Sequence, residues 1–211
     1  MKKTFVLVVL FVLPIVAYLF FASGVTKFGK LSRLTDNIEE LGFSDQVKFK
    51  NKITVLGFLG SDVQGRKGNA FNLNQKIYKR FYQFKDFQFV MVVAEDTKDE
   101  VESLKKELAT LADNDKWNFV AADDSKITSL FNSLKTDIEL DDNNSTPYVF
   151  IIDKELTLRG RSDDEDDGTK YGFNSNSVAD LNNKMIDDVK IILAEYRLAL
   201  KKNNVDHVKN E

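Results

Sequence analysis

The chain has 211 residues, 43% hydrophobic and 30% charged, with a formal net charge of -3. Its 30 basic and 33 acidic side chains are interspersed, so no basic stripe is available to neutralise nucleic-acid phosphates. There is no cysteine, which excludes disulfides, thiolate metal sites, thiol nucleophiles and a lipid-modified N-terminal cysteine, but does not identify the redox compartment.

Lys2 and Lys3 precede Thr4 to Ala22, a run of 19 residues without a charge. As a helix that run is roughly 28 Å long, close to the hydrocarbon core of a bilayer. Residues 1–24 therefore read as an N-terminal membrane anchor, with Pro14 tolerated inside it. Ala22-Ser23-Gly24 offers small residues where a signal peptidase could cut. Against cleavage, the apolar run exceeds the about 7–15 residues of a signal h-region. Lys2 and Lys3 favour a cytoplasmic N-terminus, yet Lys27, Lys30 and Arg33 follow on the other side, so the charge bias is nearly balanced. Residues 25–45 read as a linker, 46–200 as one α/β domain, and 201–211 as a polar, frayed tail.

Val47-Lys48-Phe49 alternates like a short strand, and Lys50-Asn51-Lys52 reads as a turn. Ile53 to Leu59 is nearly continuously apolar, the pattern of a central strand covered on both faces, and Gly60-Ser61 ends it. Ala70, Leu73, Ile77, Phe81 and Phe84 recur at spacings of three and four, predicting an amphipathic helix over 69–85. Phe87 to Ala94 is a second buried strand. Val101, Leu104, Leu108 and Leu111 mark another helix, with Glu102 and Lys106 paired on its wet face. Trp117 to Val120 reads as a short strand, and Ile127, Leu130, Phe131 and Leu134 mark a third helix. Tyr148 to Ile152 turns at Asp153-Lys154-Glu155 into Leu156 to Arg159, a hairpin. Val178, Leu181, Met185, Val189, Ile192 and Tyr196 trace a long closing helix, with Ser177 and Asp180 as its capping box. Alternation of this kind implies a sheet with a parallel core, helices on both faces and an antiparallel hairpin at one side.

Two stretches could carry chemistry. The loop from Ser61 to Asn69 follows a buried strand and opens a helix, where α/β folds place ligands. Ser61, Arg66, Lys67 and Gly68, with Gly65, could hold an anion or a partner's carboxylates; the bland alternative is a solvated turn. The spacing is not that of a P-loop. Asp163, Asp164, Glu165, Asp166 and Asp167, ending at Gly168, could wrap a hard cation, or form a solvated acidic loop. His207 is the only histidine, and no nucleophile–base pair can be named, so no catalytic residue is assigned. Trp117 reads as core.

Several segments together resemble one family. Thr146-Pro147 before the apolar run Tyr148 to Asp153 is similar to the thioredoxin-like segment in which a Thr-Pro peptide precedes a strand ending in Asp. Trp117-Asn118-Phe119, Leu158-Arg159-Gly160 and the closing helix resemble the Sco/SenC branch, copper-handling proteins of the respiratory chain anchored on the periplasmic side. The resemblance spans roughly residues 45 to 200. It implies a thioredoxin-like three-layer fold with a mixed central sheet, and a cis Thr146–Pro147 bond. In that family two cysteines of a Cys-x-x-x-Cys loop and a distant histidine bind copper. Here those positions fall on Val63, Lys67 and Ser145, which supply neither sulfur nor imidazole for copper(I). The resemblance thus implies a cysteine-less member without cofactor or metal. It would be held in the inner membrane with its domain on the periplasmic side, acting as an accessory or assembly partner of an envelope protein. The rival reading is a small-anion or hard-metal binding module using loop 61–69 or the acidic run 163–167.

Overall fold

A computed structural model describes residues 9–16, 18 and 30–208 of the chain. It divides into two units, Met1–Lys30 and Leu31–Glu211. In the first, residues 9–16 are helical, with Leu10, Phe11, Leu13 and Ile15 exposed. Most of the expected anchor, including Lys2, Lys3 and Ala22-Ser23-Gly24, lies outside the described residues. Among the described residues no helix is long and apolar enough to cross a membrane.

The second unit is built on one mixed sheet. Its strands are β1 (Ser32–Thr35), β2 (Ile53–Gly60), β3 (Phe87–Ala94), β4 (Trp117–Ala122), β5 (Tyr148–Ile152) and β6 (Leu158–Asp164), with short β7 (Gly168–Lys170) and β8 (Phe173–Asn174). They stand in the order β1-β6-β5-β2-β3-β4, with β7 on β6 and β8 on β5. β2, β3 and β4 are parallel, and β5 runs antiparallel to β2 with Val55 opposite Ile151. Every residue of β2 and β3 is buried, as their unbroken apolar runs require of strands covered on both sides.

Period-two alternation divides β2 between two cores. Ile53, Val55 and Leu59 face one layer, and Leu56 and Phe58 face the other. The first layer contains α1, which runs as Lys67–Leu73, a π-helical turn Asn74–Tyr78 and Lys79–Phe81. It also contains α2 (Lys98–Leu111) and α4, which runs as Val178–Asp180, a π-helical turn Leu181–Met185 and Ile186–Val208. The second layer contains α3 (Asp124–Ser133), where Phe58, Phe131 and Phe150 meet edge to face with centroids 5.2 to 6.2 Å apart.

Residues 31–45 are not a linker. Ser32 and Thr35 pair with Gly160 and Leu158 at the sheet edge, and Ile38, Leu41 and Phe49 are buried in the second layer. One helix of ten residues cannot cover that face, and this segment supplies the missing apolar surface. Val47-Lys48-Phe49 forms no strand, because the Glu40 carboxylate takes the backbone N–H groups of Phe49 and Lys50 at 2.6 and 2.9 Å. The ammonium expected on Glu102 is that of Lys105, at 3.0 Å, not Lys106. The capping box is half formed: Ser177 accepts the Asp180 N–H, whereas the Asp180 carboxylate accepts from Asn174 N–H instead of reaching back to Ser177. The backbone of the expected frayed tail continues as helix through Val208.

Candidate functional site

The carboxyl end of β2 and the loop that precedes β5 form one structure. Gly60 has φ 53°, and a Cβ there would lie 1.8 Å from the Asn143 carbonyl oxygen, so only glycine fits. Ser61 N–H then donates to that same carbonyl at 2.9 Å. Asp62 accepts the Gly65 N–H at 3.1 Å, closing the turn that delivers Arg66 and Lys67 to the start of α1.

On the facing loop, Asp141 organises the backbone. One carboxylate oxygen accepts the N–H groups of Asn143 and Ser145, at 3.0 and 2.9 Å. The other accepts the Ser145 hydroxyl at 2.8 Å and the Arg66 guanidinium at 2.6 Å. Arg66 Nε also donates to Ser145 Oγ at 2.9 Å. Partial burial pushes the Asp141 carboxyl up, but the Ser145 N–H, the Ser145 hydroxyl and Arg66 together outweigh it and hold it below the usual range. Arg66, Ser145 and Asp141 thus form a lock that joins residues 75 to 79 positions apart in the chain.

The three positions that the resemblance assigns to copper ligands are all otherwise engaged. Val63 is buried in the apolar layer with Leu59 and Ala70. Lys67 pairs with Glu107 of α2 at 2.6 Å, its ammonium over the Phe71 ring. Ser145, fully buried, belongs to the lock. This set of an alkyl group, an ammonium and a hydroxyl does not fit copper(I), and no step through a metal is derived from it. The expected anion loop is also neutralised from within, since Arg66 and Lys67 both meet carboxylates. Gly68 and Ser61 remain exposed, and nothing crowds Gly68.

The Thr146–Pro147 bond is not cis: no peptide bond among the described residues is. The trans isomer is the intrinsically preferred one, and both flanking groups are satisfied in it. Thr146 N–H donates to the Phe58 carbonyl at 3.0 Å, and the Pro147 carbonyl accepts from Ser175 N–H at 2.9 Å. Beside Pro147, a polar groove of about 480 Å³ is bordered by Tyr148 and Tyr171, with Asp137, Glu139 and Lys170 on its walls.

The acidic run is neither a cation cage nor a wholly solvated loop. It makes the turn between β6 and β7, and Asp164 is buried there against Lys184 at 2.5 Å. Burial pushes Asp164 up, yet Lys184 and the N–H groups of Asp166 and Asp167 bring it down to about 2. Lys184 also takes Asp166, and Lys170 takes Asp167. Among the described residues no group of three or more His, Cys, Asp or Glu side chains is arranged to hold a metal.

Asp141 is the member of the lock that sequence reasoning missed. The run Asp141-Asp142-Asn143-Asn144 was a usable signal, because such side chains bind their own backbone in turns.

No protein-family model matches the chain, and no curated protein matches it in sequence. Solved structures do. The solution structure of a candidate protein disulfide isomerase from Bacteroides thetaiotaomicron aligns at TM-score 0.51 and 12% identity, covering 79% of this chain and 95% of that one. The fold is thioredoxin-like. A SCO1/SenC family lipoprotein from Bacillus anthracis aligns at 0.47 and 15% identity over 74% of this chain and 99% of its own. The soluble domain of Sco1 from Bacillus subtilis aligns at 0.45 and 16% identity, over 78% and 96%. At such identities likeness speaks for the fold alone, and a fold of this kind hosts many activities.

Proposed function

We propose that this is a non-catalytic, membrane-anchored, Sco-like accessory protein of the cell envelope, acting through surface contacts as an assembly partner of another envelope protein. The observation that carries the reading is the Arg66–Ser145–Asp141 lock. It fills the ligand end of a thioredoxin-like scaffold with an ion pair and hydrogen bonds, and the residues described there include no soft donor or redox group. Without cysteine, thiol exchange is chemically unavailable to this chain. What remains at that end is shape: the exposed turn at Ser61 and Gly68, and the groove beside Pro147. The uncharged run from Thr4 to Ala22 supports anchoring in the inner membrane, and the resemblance supports an exported domain.

Photo-crosslinking in intact membranes tests this directly. A photoactivatable side chain at Ser61 or Tyr171 is expected to yield a discrete adduct with one membrane protein, reduced by a second substitution at Glu139. Membranes that give no protein adduct from either position, with the chain present in them, count against the assignment.

A further inference from the structure

The other end of the sheet, where β2 begins, is built differently. Ile53, Phe84, Leu193 and Tyr196 form an apolar slot of about 280 Å³, rimmed by Lys85, Asp86, Lys154 and Arg197. Phe84 is 41% exposed, although it is a large aromatic, and its carbonyl is held by the Lys116 ammonium. Lys154 pairs with Asp86 and lies over the Tyr196 ring. Lys52 and Lys85 lie close enough to Asp86 to help hold it ionised, after the larger effect of Lys154, and Lys52 also acts on Lys116. Lys52, Lys85, Lys116 and Lys154 therefore surround a single carboxylate, with Arg197 exposed beside them. Further acids stand close by: Asp153 and Glu155 flank Lys154 and act on Tyr196, and Glu195, paired with Arg159, precedes Tyr196.

The folded domain is fastened next to this slot. Leu31 is buried, its N–H donates to Glu195 at 2.8 Å, and Glu195 adjoins Tyr196 of the slot wall. Eight residues separate Ala22, the end of the apolar run, from Leu31, a reach of at most about 30 Å when extended. A domain tethered in a bilayer by such a length samples the membrane surface at high effective concentration. An apolar aromatic ringed by cations is the composition that such a surface favours when its lipids are anionic.

We propose that this pole is a membrane-docking face: Phe84 enters the headgroup region of an anionic bilayer while Lys52, Lys85 and Arg197 meet lipid phosphates. The inference rests on the anchored reading above and deepens it. It turns the opposite end, with the lock and the groove, away from the membrane and toward partners.

The absence of native cysteine makes a test clean, because a single introduced thiol labels one position. The full chain, spin-labelled through Phe84→Cys or, as control, Ser61→Cys, is reconstituted in nanodiscs of phosphatidylcholine with or without phosphatidylglycerol. The expected result is a label at 84 that gains oxygen and loses nickel-chelate accessibility severalfold only in anionic discs, with the label at 61 aqueous in both. Lys52→Gln with Lys85→Gln and Arg197→Gln abolishes the difference. The unmodified chain provides the control for perturbation by the label: trypsin cleavage after Lys85 slows severalfold on anionic discs alone. A chain that leaves the disc fraction overturns the anchored reading, and the docking face with it. A disc-bound chain whose position 84 stays aqueous, with Lys85 equally cleaved on both lipids, overturns the docking face and leaves the anchor standing.

Discussion

Arg159 and Arg66 each bridge stretches of chain far apart in sequence, and their surroundings differ in one respect, access to water. Arg159 is 5% exposed; it donates to Asp153, itself fully buried, at 3.0 Å, to Glu195 at 2.7 Å, and to the Leu31 carbonyl. Arg66 is 17% exposed and its partner Asp141 39%. The first cluster fastens the start of the domain to α4 and belongs to the fold. The second closes the carboxyl end of β2, the end at which α/β sheets place ligands, and it lies at the surface rather than in the core. Buried ion pairs are costly to break from one side, because the partner left behind cannot return to water, whereas rim pairs are screened.

The sharpest way to break this contrast is Arg159→Met, which strands Asp153 and Glu195. We expect a loss of about 3–5 kcal/mol in urea unfolding. A loss as small as that of Arg66→Met would show that water reaches the Arg159 cluster after all. Gly60→Ala comes next, at about 2–4 kcal/mol, because it forces a Cβ onto the Asn143 carbonyl in a left-handed backbone conformation. Arg66→Met should cost about 1–2 kcal/mol, with the far-ultraviolet circular dichroism unchanged and faster proteolysis confined to residues 61–66 and 141–145. Lys67→Ala should cost less than about 1 kcal/mol, since its pair with Glu107 is one-third exposed on both sides.

The acid limb of stability probes a third cluster. Asp164 titrates at about 2 in the folded protein, below its unfolded value of about 3.9, so its contribution is fully present above about pH 4. That contribution disappears as the pH falls through about 2. Asp164→Asn should therefore lower stability at neutral pH and flatten the decline between about pH 4 and 2, as read from urea midpoints across that range. An unchanged slope would mean that Lys184 does not engage Asp164 in solution.

The large elements were legible because their patterns are long. The apolar runs of β2 and β3 and most of the three-four spacings of α1 to α4 fix type and face. Phe84, Leu111 and Val178, expected on buried faces, are nonetheless exposed, and α1 ends at Phe81, before Phe84. β1 was not legible. Ser-Arg-Leu-Thr carries no alternation, and its pairing with β6 is decided by an edge that exists only once the sheet has formed. Val47-Lys48-Phe49 misled for the converse reason, since a local alternation was overruled by one carboxylate, Glu40. At the site, Ser61, Val63, Arg66, Lys67 and Ser145 could be placed by position, but not the lock among them. Charge counting suggested an anion loop at Arg66 and Lys67, and only three-dimensional proximity reveals that Asp141 and Glu107 already answer those charges. The trans bond at Pro147 corrects the expectation carried by resemblance, while the acidic run faces solvent at Asp163, Glu165, Asp166 and Asp167 and departs from that reading only at Asp164, buried against Lys184.

The proposed function turns on the Arg66–Ser145–Asp141 lock closing the ligand end of this scaffold to a metal. Anaerobic competition between the full chain and a chromogenic copper(I) chelator tests it most directly. The account predicts that the chelator keeps all the copper at equimolar protein, with Asp141→Ala and Ser145→Ala indistinguishable from the unsubstituted chain. Retention of one equivalent by the unsubstituted chain, lost in either variant, would contradict it.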